Sequence, residues 1–164
     1  MTEHQRLELL RAIETEPLVD HAELAVRLGV EAGEVGAELA SLEEAGVIKG
    51  YRALIDWDRL QTGAVHAFVD VHVNPEAEAG FDAIARRIAR FEEVHSLHLV
   101  SGGRDLLVVV RGQDFKEVAL FVAEKLAPIQ GVTRTTTSFV LRTYKTEGTA
   151  LLSATEDTRL AIAP

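Results

Sequence analysis

Apolar residues near the start of the chain recur at the spacing of one helix face, which predicts helical structure. In the first segment they are Leu7, Leu9, Leu10 and Ile13, and Pro17 is expected to close the segment. A second helix is predicted to begin at Asp20, which can cap free backbone N–H groups, while Glu23 completes a capping-box pattern. Gly29 is expected to end this helix, because glycine readily adopts the left-handed conformation of a C-terminal cap.

A third helix is predicted from about Glu31 to Ala45, where Gly46 stops it. Its buried stripe is expected to consist of Val35, Leu39 and Leu42. Two short helices joined by a glycine-containing turn predict a helix-turn-helix arrangement. Val47 to Ile55 is predicted as an extended wing or exit strand, so residues 1–55 form one domain and residues 56–63 a linker.

From residue 64 onward the pattern changes to strands that alternate with amphipathic helices. Val65, Ala67, Val69, Val71 and Val73 alternate with more polar residues, which predicts a half-buried strand. Further strands are predicted at about Val94–Val100, Asp105–Arg111 and Val132–Tyr144, with helices around Phe81–Phe91 and Phe115–Leu126. The order β-α-β-β-α-β predicts a ferredoxin-like fold over residues 64–145, with both helices on one face of a four-stranded sheet. The chain is therefore assigned to the α+β class.

One face of this sheet has no helix to cover it. That face would expose Phe68, or Phe139 with Leu141, depending on the register of the strands. An exposed apolar sheet face usually meets a partner, and a homodimer that buries two such faces is expected. Residues 146–164 are predicted as a C-terminal extension, in which Arg159 to Pro164 could form a short strand that pairs with an exposed edge.

The chain carries a net charge of −9, and most of it lies near the start. Residues 1–50 hold four lysines and arginines against eleven acidic residues, a net charge of −7. Proteins that bind nucleic acid gain much of their affinity from lysine and arginine, so this distribution disfavours a polyanion as partner. With no secretory pattern at the start and no apolar run long enough to cross a bilayer, we expect a cytoplasmic protein without membrane contact.

The sequence offers no catalytic constellation. It has no cysteine, which removes disulfides, cysteine-ligated zinc and thiol chemistry, and it has no glycine-rich phosphate loop or nucleophile elbow. His95 and His98 are expected on opposite faces of a strand, whereas His66, Asp70 and His72 share a face but lack a fourth ligand. We therefore predict no enzyme activity, no metal site and no cofactor.

A glycine-rich turn, Ser101-Gly102-Gly103-Arg104-Asp105, joins two of the predicted strands. In one interpretation it is only a tight hairpin, in which the glycines allow positive φ and Asp105 caps the turn. In the other, its backbone N–H groups receive the carboxylate of an amino acid, and Asp105 or a neighbouring carbonyl receives the ammonium group. Arg104 could neutralise an acidic effector or remain solvated. Thr135 and Thr137 could line the same pocket, although a β-branched strand explains them as well.

Several sequence pieces together resemble the Lrp/AsnC (feast/famine) family of regulators. They are Glu23-Leu24-Ala25 with Leu28-Gly29, Leu42 to Tyr51, Ser101 to Leu107, and Gly131-Val132 followed by Thr135, Thr136 and Thr137. Each piece is weak alone, but their order and spacing extend over nearly the whole chain. The resemblance implies a winged helix-turn-helix domain fused to an effector-binding (RAM) domain. It also implies homodimers that assemble into octamers, and an amino-acid-like effector near Gly102–Asp105.

The third helix departs from the pattern of that family. The resemblance implies DNA contacts at Glu34, Ala37, Glu38, Ser41, Lys49 and Arg52. In the family pattern the exposed face of the third helix carries serine or threonine near its start and arginines in its middle. Here the stretch from Glu31 to Ala45 holds five glutamates and no lysine or arginine, and carboxylates facing phosphates repel them. Three hypotheses follow: an amino-acid-responsive transcriptional regulator, an effector-sensing module whose acidic N-terminal domain binds protein partners, and, distantly, a sirohaem-decarboxylase-like enzyme.

Overall fold

The computed structural model describes residues 1–60, 63–74 and 80–151. The chain divides into two compact units, Met1–Ile55 and Asp56–Pro164. Within the described residues, no helix is long and apolar enough to span a membrane.

Unit 1 consists of three helices, α1 (Glu3–Thr15), α2 (His21–Leu28) and α3 (Ala32–Glu44). Their apolar stripes meet in one core, made of Leu9, Ile13, Leu24, Ala25, Val35 and Leu39. The sequence predicts Leu7 in the apolar stripe of α1, but the side chain of Leu7 is 50% exposed. It lies two positions, or about 200°, from Leu9 around the helix, and therefore points away from the core.

The helix ends confirm most of the predicted signals and correct one. Gly29 and Gly46 both adopt positive φ, of 66° and 68°, and end α2 and α3 as predicted. Asp20 caps α2 by accepting from the backbone N–H of Ala22 at 2.7 Å. The predicted capping box with Glu23 is wrong, because Glu23 binds Arg27 at 2.8 Å instead. A complete capping box occurs at the start of α1, where Thr2 and Gln5 exchange side-chain and backbone hydrogen bonds.

The segment from Val47 to Ile55 does not form the predicted strand. Residues 1–55 are all described, and none of them belongs to a strand. A strand needs a neighbour to pair its backbone groups, and this all-helical unit supplies none. A 3₁₀ helix follows at Trp57–Leu60, inside the predicted linker.

Unit 2 is built on a four-stranded antiparallel sheet, which confirms the α+β class. In chain order its elements are β1 (Val65–Val73), α4 (Gly80–Ile88), β2 (Val94–Leu99), β3 (Leu106–Gly112), α5 (Phe115–Leu120) and β4 (Val132–Phe139). The helix continues beyond α5 as a π-helical segment, Phe121–Leu126. The strand order is β2-β3-β1-β4, and every neighbouring pair is antiparallel.

Strand β4 is shorter than predicted, ending at Phe139 instead of Tyr144. Phe139 pairs with Ala67, and the N–H of Val140 donates to the carbonyl of His66 near the beginning of β1. Beyond that point β1 offers no further partner, so the ladder stops. A small hairpin of β5 (Lys145–Thr146) and β6 (Thr149–Ala150) follows. The strand suggested for residues 159–164 lies outside the described residues.

The register of β1 decides which residues face the helices. Its alternate residues from Ala67 to Val73 are buried in one core with apolar residues of α4, α5 and the π-helical segment. Phe139 packs against the same core, because residues paired directly across a ladder share a face. Phe68 lies on the other side of the sheet, 44% exposed. We call that side the open face, and it carries Phe68, whereas Phe139 lies on the side covered by the helices.

Candidate functional site

The loop Ser101–Asp105 connects β2 to β3, as predicted, and Asp105 holds it against the central strand β1. The backbone N–H of Asp105 donates to the carbonyl of Val71 at 3.3 Å. Its carboxylate oxygen Oδ2 accepts from the backbone N–H of Val73 at 2.9 Å. Asp105 therefore anchors the loop to a neighbouring strand, a contact that neither of the two interpretations of the sequence included. Gly102 has a φ of 126°, a conformation that L side chains rarely adopt.

The side chain of Arg104 is 44% exposed and has a partner within the chain. Its guanidinium forms an ion pair with the carboxylate of Asp70. Asp70 belongs to the open face, since it alternates with the buried Val69 and Val71. The side chain of Arg104 therefore joins the loop to the middle of the sheet. This partner, 34 residues away in sequence, could not be inferred from local spacing.

Thr135 and Thr137 belong to β4, which pairs with β1 on the side opposite to β3 and its loop. They pair with Val71 and Val69 respectively, and both are half-buried on the helix-covered face. Val71 lies between the two residues: its carbonyl accepts from the N–H of Asp105 on one side, and it pairs with Thr135 of β4 on the other. The structure therefore brings Asp105 and Thr135 to the same end of β1, while Arg104 reaches towards the other face.

The open face also carries histidines that contact other side chains. The ring of His66 stacks on that of His95, with centroids 6.3 Å apart. The Nε2 atom of His72 lies 2.8 Å from Arg134. Because His72 and Asp70 each contact an arginine, the predicted trio of His66, Asp70 and His72 does not converge. No group of three potential ligands close enough to hold a metal ion occurs among the described residues.

The outward surface of α3 differs from the one that the sequence predicted. Glu38 was expected near the DNA-facing stripe with Glu34, but its side chain is only 15% exposed and pairs with Arg6 of α1. This ion pair raises the pKa of the Arg6 guanidinium. A helical wheel shows why, because Glu38 lies only about 60° around the helix from the buried Val35. Its carboxylate is therefore directed to the edge of the core.

Two other glutamates of α3 also have partners. The carboxylate of Glu34 lies 3.7 Å from the amino group of Met1, and that of Glu43 accepts from the Tyr51 hydroxyl at 2.9 Å. The exposed outer side of α3 consists of the small residues Gly33, Ala37, Ala40 and Ser41, with Glu34 near its start and Glu44 at its end. We call this set the outer face of α3. It is less acidic than the composition of the helix suggests.

The cations of unit 1 fall into two groups. Arg27 contacts Glu16 and Glu23, at 3.5 and 2.8 Å, and Arg6 contacts Glu38. Arg11, Lys49 and Arg52 are exposed, and none of them forms an ion pair within the described part of the chain. Of these three cations, Lys49 and Arg52 lie in the segment that follows α3, whereas Arg11 belongs to α1.

Comparison with known proteins gives a consistent result. The profile of the Lrp/AsnC ligand binding domain matches residues 66–150. The chain is 38% identical over 158 residues to an uncharacterized HTH-type transcriptional regulator, YugG, of Bacillus subtilis, covering 96% of this chain and 95% of that protein. It is 32% identical over 139 residues to the leucine-responsive regulatory protein of Rhizobium meliloti, covering 85% of this chain and 88% of that one.

Among solved structures, a transcriptional regulator from Neisseria meningitidis in complex with L-methionine has the same fold. Its TM-score is 0.70 at 24% identity, and the match covers 93% of this chain and 97% of that one. The segment that matches the family profile, residues 66–150, includes the loop held by Asp105, Phe68 of the open face, Thr135 and Thr137.

Proposed function

Because this chain belongs to the Lrp/AsnC family of transcriptional regulators, we propose that it binds DNA through unit 1 and senses an amino acid or a related metabolite through unit 2. In this proposal unit 1 is a winged helix-turn-helix domain. Unit 2 is a ferredoxin-like effector-binding domain, residues 56–63 link the two, and residues 146–164 extend the second.

The effector site is proposed at Ser101–Asp105, with Thr135 at its edge. The observation that carries this proposal is the bond from Val73 to Asp105, which fixes a glycine-rich loop on a strand end. Two adjacent glycines leave their backbone N–H groups accessible, which suits a carboxylate. The Neisseria relative, whose fold is the same, was solved with L-methionine, which supports an amino-acid-sized ligand. Thr137 lies two residue pairs further along β4 and is proposed only as a secondary contact.

DNA is proposed to meet the outer face of α3, at Ala37 and Ser41, together with Lys49 and Arg52. Small residues let a helix approach base edges closely, and the two cations supply phosphate contacts. The partners of Glu34 and Glu38 support this arrangement, since the charge of each carboxylate is partly offset. Neither glutamate is then required to contact DNA, although both occupy positions where the family pattern has DNA contacts.

Homodimerisation is proposed through the open face, centred on Phe68, with further assembly into octamers. An apolar residue that is 44% exposed in the middle of an uncovered sheet is suited to burial against a second copy. A two-fold axis would place the same patch of both copies in contact.

A second candidate is a sensing module whose unit 1 binds a protein instead of DNA. Two observations favour it: the net charge of −7 over residues 1–50, and the exposed apolar side chains of Leu18 and Val26, at 96% and 84%. No separate observation supports the sirohaem-decarboxylase alternative, and the relatives compared above carry regulator names.

A fluorescence anisotropy titration with fragments of the chain's own promoter separates the two candidates. The phosphate contribution to binding is strongest at low salt, so saturable binding that weakens as salt is added is the expected result. No binding at low salt would overturn the DNA proposal and leave the protein-binding candidate. A thermal-shift panel of amino acids tests the effector proposal, because a ligand that binds the folded state raises its melting temperature. A flat panel would contradict it.

A further inference from the structure

A cavity of about 290 Å³ is lined entirely by residues of unit 1. Its floor is apolar and consists of Ile13, Leu24 and Leu39, all of them buried. Polar side chains from three different parts of the unit stand at its edge: His21, Glu43 and Tyr51. An apolar floor with a few converging polar groups is the usual composition of a small-molecule site.

The polar edge of this cavity is held in place by the bond between Tyr51 and Glu43. The Tyr51 hydroxyl donates to Oε1 of Glu43 at 2.9 Å. Partial burial of the phenol, and then its bond to Glu43, raise the pKa of Tyr51 above its ordinary value of 10.0. The hydroxyl is protonated at neutral pH in either case, so it is a donor there. No other hydrogen bond or ion pair of the Glu43 side chain occurs among the described residues. The second carboxylate oxygen can therefore accept from a ligand.

Gly36 enlarges the cavity at the point where α3 passes His21. It lies in the interior of α3 with a φ outside the left-handed region, so the backbone does not require glycine. A Cβ added there would meet only Nδ1 of His21, at an ordinary contact distance of 3.6 Å. Crowding therefore does not require glycine either. Glycine costs a helix interior about 1 kcal/mol relative to alanine, and the observable effect of its presence here is a wider opening beside His21.

The cavity determines the chemical class of its ligand. Its volume is near the lower end of the usual range for small-molecule sites, roughly 300–1,000 Å³. The apolar floor fits an alkyl or aryl group, and the carboxylate of Glu43 fits a cation. The net charge of −7 on residues 1–50 disfavours an anion in the same place. We infer that unit 1 carries a binding site for a small organic ammonium compound with an apolar group, distinct from the effector loop of unit 2.

The site adjoins the surface proposed for DNA. Ala40 lines the cavity and also belongs to the outer face of α3. A ligand held by Glu43 would therefore lie against the second half of the proposed recognition helix.

The test uses the full chain with ¹³C-labelled tyrosine rings and 2-phenylethylamine as the probe. The sequence has two tyrosines; Tyr51 lines the cavity, and Tyr144, in unit 2, serves as an internal reference. We expect a saturable shift of the Tyr51 signals without a matching shift at Tyr144. Phenylacetate, which is of similar size and opposite charge, should produce no saturable shift.

Two variants complete the experiment, with a matched control. Glu43→Gln keeps an acceptor for Tyr51 but removes the charge, and should weaken binding by about tenfold or more. Ala40→Leu fills part of the cavity and should also weaken binding, whereas Glu44→Gln, on the neighbouring exposed residue, should leave the dissociation constant unchanged. If Tyr51 does not respond up to about 10 mM probe, or if phenylacetate or Glu43→Gln gives wild-type binding, the inference is overturned.

Discussion

The carboxylate of Asp105 accepts a hydrogen bond from the backbone N–H of Val73, 32 residues earlier in the chain. This bond fastens the loop between β2 and β3 to the end of β1. Asp105 thus has a positional function that is independent of any ligand. Replacing Asp105 is therefore expected to change both the stability of the fold and the binding of an effector. The choice of substitution separates these two effects.

Asp105→Ala is expected to destabilise the protein, because it leaves the partly buried N–H of Val73 without an acceptor. Losing one partner of such a bond costs about 1–3 kcal/mol, which chemical denaturation can measure. Asp105→Asn, which can still accept from Val73, should retain most of the stability. If the carboxylate also binds the ammonium group of an effector, Asp105→Asn will fold normally but lose the thermal shift. Equal stability of Asp105→Ala and wild type would contradict the anchoring role.

Lys49 and Arg52 are expected to determine much of the salt dependence of DNA binding. Each phosphate contact contributes about 0.9 to the slope of log K against log salt concentration. Lys49→Ala and Arg52→Ala should each lower that slope by about this amount. Arg27→Ala is the matched control, because Arg27 is held by Glu16 and Glu23. A slope unchanged by either substitution would exclude these cations from the interface.

Phe68→Glu is expected to prevent dimerisation. A carboxylate at the centre of a buried interface would lose its hydration without gaining a partner. Analytical ultracentrifugation should show at least a roughly tenfold weaker association. Leu141→Glu provides the control, since Leu141 is more exposed than Phe68, at 91%, but lies beyond the end of β4. Association that survives Phe68→Glu would place the interface elsewhere.

The ion pair of Glu93 with Lys125 predicts a specific loss of stability in acid. The hydrogen bond from the Lys125 ammonium group lowers the pKa of the Glu93 carboxyl below its ordinary value of 4.5. The ion pair therefore stabilises the folded protein fully at a pH above the ordinary pKa of the carboxyl. This stabilisation is lost as the pH falls through the lower pKa that Glu93 has in the folded state. Denaturation between neutral pH and pH ~3 should show a smaller loss for Glu93→Gln than for wild type. Glu92→Gln, at the exposed neighbouring position, should behave as wild type.

Local signals in the sequence predicted the main elements of the fold correctly. The stripe of Val35, Leu39 and Leu42 and the glycine at position 46 define α3 without knowledge of its neighbours. The alternation from Val65 to Val73 defines β1 in the same way. In both patterns a single element must bury one of its sides, and this requirement can be read without its neighbours. The end of α3 also needs a residue that tolerates positive φ, which Gly46 supplies.

Features that depend on two distant segments could not be predicted in this way. The end of β4 at Phe139 depends on where β1 begins, and the exposure of Phe68 depends on strand register. The partners of Arg104 and Glu38 lie 34 and 32 residues away. For Glu38 alone a signal existed, because its angular distance from Val35 already placed it at the edge of the core.

The ion pair between Arg104 and Asp70 has a consequence for how the two proposed activities of unit 2 depend on each other. Arg104 belongs to the loop, and Asp70 is a neighbour of Phe68 on the same side of β1. A ligand that drew the guanidinium away would leave a lone carboxylate beside the surface proposed for dimerisation, and a two-fold axis there would place a second carboxylate nearby. Ligand occupancy and subunit association would then be thermodynamically linked, and each would alter the equilibrium constant of the other by the same factor.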